Sequence, residues 1–155
     1  MKKLLLLSLS TFVLTTAASA YDANKAQNLN KFYSHITHKA CANSKLFISA
    51  KNVMKMYKEN KDFTVVDLRT DGEANIISLS NKNAIHIPIA KLFEKENLDK
   101  LPTDKPLILV CHSGARALMA AVGLKQLGFK NTQVLKGGLI ALADANNPKN
   151  APEVK

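Results

Sequence analysis

Tryptophan is absent from this 155-residue chain, and cysteine, glycine and proline are scarce, at 2, 6 and 5 residues. Two cysteines cannot supply a dense disulfide framework, so stability has to come from a buried apolar core. The shortage of Gly and Pro excludes a collagen-like repeat or low-complexity scaffold, and a hydrophobic content of 46% excludes a wholly disordered chain. Acidic residues are also few: 12 Asp and Glu against 22 Lys and Arg leave a net charge of +10. A chain this long holds one compact domain and is too short for two independent cores.

The first 20 residues do not read as part of that core. Met1, Lys2 and Lys3 form a basic start, residues 4–16 an apolar stretch, and Ala18-Ser19-Ala20 a small-residue cleavage site. This predicts a secretory signal peptide over 1–20 and, from its bacterial look, a periplasmic destination. The stretch is shorter than the roughly 20 apolar residues of a spanning helix, so no stable membrane insertion is expected after cleavage. Without Lys2 and Lys3 the chain keeps 20 basic against 12 acidic residues, a net +8. That field draws in small anions. The lysines are scattered singly, with no Arg- and aromatic-rich strip, so nucleic acid is not an expected partner.

After the leader, Leu29, Phe32, Tyr33 and Ile36 fall on one helical face and predict an amphipathic helix over 28–40, within an N-terminal extension spanning 21–44. A domain over 45–145 follows. It begins with a strand at 46–48, Ser49 as an N-cap, and a helix to about Asn60 that buries Val53, Met56 and Tyr57. FTVVDL (63–68) is rich in β-branched residues without alternation, as in a strand covered on both sides. A turn-rich cluster at 69–72 and a surface loop over 74–83 lead to a strand at 84–87, closed by Pro88. A helical turn or two is expected over 92–98.

Leu107-Ile108-Leu109-Val110 is the most apolar run after the leader. It passes into Cys111-His112-Ser113-Gly114-Ala115-Arg116 and then a helix over 117–127, apolar nearly all round and therefore expected to be covered, with Gly128 as its stop. A strand at 132–135, Gly137-Gly138 and a short apolar stretch complete the domain, and 146–155 reads as a frayed tail. Alternating strands and helices predict an α/β fold: a small parallel five-stranded sheet with helices on both faces. Ligands of such sheets sit at the carboxyl ends of the strands, where the Cys111 loop lies.

Between a buried strand and a buried helix, successive loop N–H groups curl toward one point and the helix adds its positive end, which makes a concave anion site. The same potential, with Arg116 nearby, favours thiolate over thiol at Cys111.

Asp67-Leu68-Arg69 followed by Glu73, then His86-Ile87-Pro88, Cys111-x-x-Gly114-x-Arg116, Gly128-Phe129 and Gly137-Gly138 resemble, in order and spacing, the single-domain rhodaneses. The resemblance covers about residues 45–145. It implies a thiosulfate sulfurtransferase-type enzyme without a cofactor, in which Cys111 carries sulfur as a persulfide. The amides of His112, Ser113, Gly114, Ala115 and Arg116 would hold a small anionic sulfur donor, and Asp67 and Arg69 would support the loop. A thiol or cyanide would accept the sulfur, and the resemblance names no particular protein partner. Ala117 stands where many rhodaneses have Ser. A phosphate-handling loop like that of tyrosine phosphatases has one more residue between Cys and Arg, and the smaller ring suits a sulfur atom better.

Other readings compete. From another class, the same amide nest could act as a non-catalytic module that binds an anion or a partner's acidic segment. A thiol-redox protein is disfavoured because no C-x-x-C pair is present. In an oxidising compartment Cys41 and Cys111 could form one disulfide that blocks or switches sulfur transfer, but Cys41 is expected to be a free or resolving thiol, since a catalytic Cys must spend time reduced. His35, His38 and Cys41 recur every three residues, but nothing nearby completes a four-ligand set, so no metal is expected. His86 reads as a hydrogen-bonded structural residue.

Overall fold

A computed structural model of the chain describes residues 20–147 and Lys149. Nearly all of the expected signal peptide and most of the expected tail lie outside these residues. The chain divides into two compact units, one ending at Thr37 and the other starting at His38.

The first unit holds α1 (Ala23–Tyr33). Asp22 caps it, its carboxylate accepting from the Lys25 N–H at 2.9 Å, and this cap starts the helix well before residue 28. At the other end the Ile36 N–H folds back onto the Tyr33 carbonyl, so the expected single helix to residue 40 stops short. No residue of α1 is buried. The apolar spacing was real, yet Leu29 and Tyr33 stay exposed.

The second unit opens with α2 (His38–Ala42) and then builds the sheet from β1 (Phe47–Ile48), β2 (Thr64–Asp67), β3 (Ala84–His86), β4 (Leu107–Val110) and β5 (Thr132–Leu135). All pairs are parallel and the order is β1-β5-β4-β2-β3. The five-stranded α/β expectation therefore holds. β4 lies at the centre, every residue buried, which explains its unbroken apolar run.

Alternate side chains enter two cores. On one face Val66, Leu68, Leu107, Leu109 and Val134 pack with Ala117, Ala120, Ala121 and Leu124 of α6 (Ala115–Gln126). On the other, Val65, Ile108, Val110 and Leu135 meet Ala50, Val53 and Met54 of α3 (Ala50–Lys58) and Leu139 and Leu142 of α7 (Gly138–Ala145). Each buried Val or Leu contributes about 1.5–3 kcal/mol.

Three local expectations change. α3 is capped by Ser49 as read, but its inner side is Ala50, Val53 and Met54, with Met56 and Tyr57 only half-buried. The cluster after Arg69 is a helix, α4 (Asp71–Ile76), and only 77–83 runs as loop. Thr70 and Glu73 form a capping box there, each side chain receiving the other's backbone N–H, and the Thr-x-x-Glu spacing was the available signal. α6 is covered on one side only. Its alanines let it approach the sheet closely, and Met119 on the far side remains 73% exposed.

The stretch over 89–98 contains a 3-10 turn (Ile89–Lys91) and α5 (Lys95–Leu98). No helix among the described residues is long and apolar enough to cross a membrane.

Candidate functional site

Strand register brings the site together. Asp67 pairs with Val110 across β2 and β4, and the Leu68 N–H donates to the Val110 carbonyl, so the end of β2 stands beside Cys111. Beyond Val110 the chain turns sharply and re-enters a helix at Ala115. Gly114 makes that turn with φ +110°, a conformation that L side chains rarely adopt.

Cys111 sits at the floor of the loop, 1% exposed, and its Sγ accepts the Gly114 N–H at 3.1 Å. His112, Ser113 and Ala115 are exposed at the rim. α7 shapes the loop from behind: the Leu139 N–H donates to the Cys111 carbonyl at 2.8 Å and the Ile140 N–H to the His112 carbonyl at 3.4 Å. Across a planar trans peptide the N–H points opposite to the C=O, so the amides of His112 and Ser113 are turned away from α7. Gly138 allows this close approach, since a Cβ there would lie 2.5 Å from both carbonyl oxygens.

Arg116 belongs to the loop, but its guanidinium faces α4. Nη1 and Nη2 donate to the two carboxylate oxygens of Glu73 at 2.7 and 2.6 Å. These bonds, together with those from Thr70, hold the Glu73 carboxyl well below the usual carboxylate range. Reciprocally, Glu73 pushes the Arg116 guanidinium up, with a smaller contribution from the Cys111 sulfur. In the sequence Glu73 is only one letter of a motif; its partner is 43 residues away, which no local pattern reveals.

Asp67 and Arg69 lie behind this pair, both buried. Arg69 Nε and Nη2 clasp the Asp67 carboxylate at 2.9 and 2.6 Å, Nη2 also reaches the Ile77 carbonyl, and Nη1 reaches that of Glu73. The hydrogen bonds to Asp67 raise the Arg69 guanidinium above its ordinary range. The strand end thereby grips α4 and fixes where Glu73 points. His86 Nε2 lies 2.9 Å from the Arg69 carbonyl oxygen and so serves as a structural donor.

Cys41 is exposed, and it and Cys111 are free thiols. Among the described residues no group of three or more His, Cys, Asp or Glu could hold a metal ion.

The order of these parts has a counterpart in known proteins. A model of the rhodanese-like domain matches residues 49–145, more than half of the chain. The chain belongs to the rhodanese-like family. Over 106 residues it is 29% identical to a sulfurtransferase of Allochromatium vinosum, an alignment covering 68% of this chain and 95% of that protein. It is 28% identical over 101 residues to the thiosulfate sulfurtransferase GlpE of Shewanella oneidensis, covering 61% and 90%. The crystal structure of a rhodanese-related protein from Thermoplasma volcanium superposes with a TM-score of 0.54 at 32% identity, covering 66% of this chain and 94% of that one. The matched residues 49–145 lie in the second unit and run from just after β1 to the end of α7.

Proposed function

We propose that this rhodanese-like chain moves sulfane sulfur from thiosulfate or a related donor to a thiophilic acceptor, with Cys111 as the catalytic residue. Sulfurtransferase activity as such follows from the family and its sulfurtransferase relatives. One observation carries the finer reading: the Cys111 sulfur lies at the base of the loop and accepts the Gly114 N–H at 3.1 Å.

The Cys111 thiolate attacks the outer sulfur of thiosulfate. A Cys–S bond forms, the S–S bond of the donor breaks, and its electron pair leaves with sulfite, whose developing charge the amides of His112 to Arg116 stabilise. Cys111 is then a persulfide. A thiolate or cyanide attacks the terminal sulfur, takes it as a persulfide or thiocyanate, and returns the Cys111 thiolate. Asp67 and Arg69 support the loop without touching the donor.

The leader over 1–20 places this chemistry in the periplasm on our reading, with the mature chain starting at Tyr21, an extension over 21–44 and the catalytic domain over 45–145. Intact mass of the exported protein tests the leader, because retained Met1 removes it. Cys111→Ser tests the chemistry. Thiocyanate formation from thiosulfate and cyanide is abolished, and the mass gain of one sulfur atom after thiosulfate treatment disappears; an unchanged rate overturns the persulfide. A binding module would instead show neither turnover nor sulfur gain in the parent chain.

A further inference from the structure

Building on the sulfur-transfer reading, we propose that Glu73 is a positioning residue that sets the net charge of the Cys111 loop by holding Arg116 in a neutral pair beside the sulfur. Arg116 is the one cationic side chain within the loop sequence 111–116, His112 being taken as neutral. Both of its terminal nitrogens are engaged by one carboxylate in a bidentate, charge-assisted geometry.

Nor can that carboxylate swing away at little cost. Its Oε2 also accepts from the Thr70 N–H and hydroxyl, at 3.0 and 3.1 Å, and Arg69 holds the Glu73 carbonyl from below. Glu73 therefore completes a helix cap and compensates a loop cation with the same group.

The consequence for the reaction concerns the anions on either side of it. With the guanidinium compensated, the donor is held mainly by uncharged N–H groups, which select shape and position over charge. Sulfite carries the same charge as thiosulfate and must leave before the acceptor enters. An uncompensated Arg116 would hold both anions more tightly and slow that departure.

The test measures binding apart from turnover. In a Cys111→Ser background, which cannot form a persulfide, thiosulfate and sulfite are titrated calorimetrically with and without Glu73→Gln. Glu73→Gln keeps the shape and removes the charge, so affinity for both anions is expected to rise about threefold to tenfold at low salt and to fall more steeply as NaCl is added. With Cys111 intact, the same change lowers KM for thiosulfate and lowers kcat through slower sulfite release. Glu73→Asp restores the charge, and the salt dependence returns toward that of the parent.

Equal or weaker anion binding in Glu73→Gln, with an unchanged salt slope, overturns the proposal and leaves Glu73 as a structural cap. That includes the case in which neither chain binds. The sulfur-transfer reading fails by a different sign, the absence of any sulfur gain on the parent after thiosulfate treatment.

Discussion

The two arginine–carboxylate pairs behind and beside the Cys111 loop use the same bidentate contact in different surroundings. Asp67 and Arg69 have side chains only 3% exposed, whereas Arg116 and Glu73 are 31% and 35% exposed. Once buried, an ion pair depends on its own partners, because water cannot replace either one. Where solvent still reaches a pair, water and salt screen it and its contribution to stability is smaller. Burial thus separates a contact that holds the fold from one that adjusts the charge beside the sulfur.

Breaking the buried pair should have the largest effect. Arg69→Met leaves the Asp67 carboxylate without its guanidinium, and a loss of about 3–5 kcal/mol is expected in urea denaturation. If Arg69→Met and Glu73→Gln shifted the unfolding midpoint equally, the contrast between the pairs would be lost.

Gly138→Ala comes next, because it attacks the loop through its backbone support. The position has φ +59° and no room beside the carbonyl oxygens of Cys111 and His112. A non-glycine residue held in such a conformation costs about 1–3 kcal/mol, and the clash adds to it. Alkylation of Cys111 by iodoacetamide should change in rate as the loop shifts; a wild-type rate and midpoint would mean that α7 does not hold the loop.

The smallest effect is the acid response of the half-buried Arg116–Glu73 pair. The Glu73 carboxyl is held below its ordinary value of 4.5, so the stability it contributes is complete above that value and lost as pH falls through the lower folded one. Glu73→Gln has no such loss. The difference between the two urea midpoints, modest at neutral pH, should therefore shrink in acid; a constant gap would assign the contribution to packing.

Much of this architecture could be read from residue patterns, and the exceptions share a cause. β2 and β4 declare themselves by β-branched or fully apolar runs, and the Cys111 loop by its place between a buried strand and an apolar helix. α4 has six residues, including Gly and Asn, and no apolar period, so propensity pointed to a loop. It is made by the cap at Thr70 and by the Arg69 bonds to the carbonyls of Glu73, within it, and of Ile77, just past its end. The bare side of α6 was unreadable for another reason, since hydropathy cannot say which of two apolar sides meets the sheet. Arg116 was legible as a loop residue, but the direction of its guanidinium depended on a carboxylate supplied by another helix.

The clasp made by α7 also sets an order of events during synthesis. A chain that has emerged only as far as Leu135 already contains all five strands and the Cys111 thiol, yet the carbonyls of Cys111 and His112 still lack the N–H groups of Leu139 and Ile140. Cys111 is thus translated before the segment that finishes its surroundings, and a nascent or truncated polypeptide carries that sulfur in an unfinished setting.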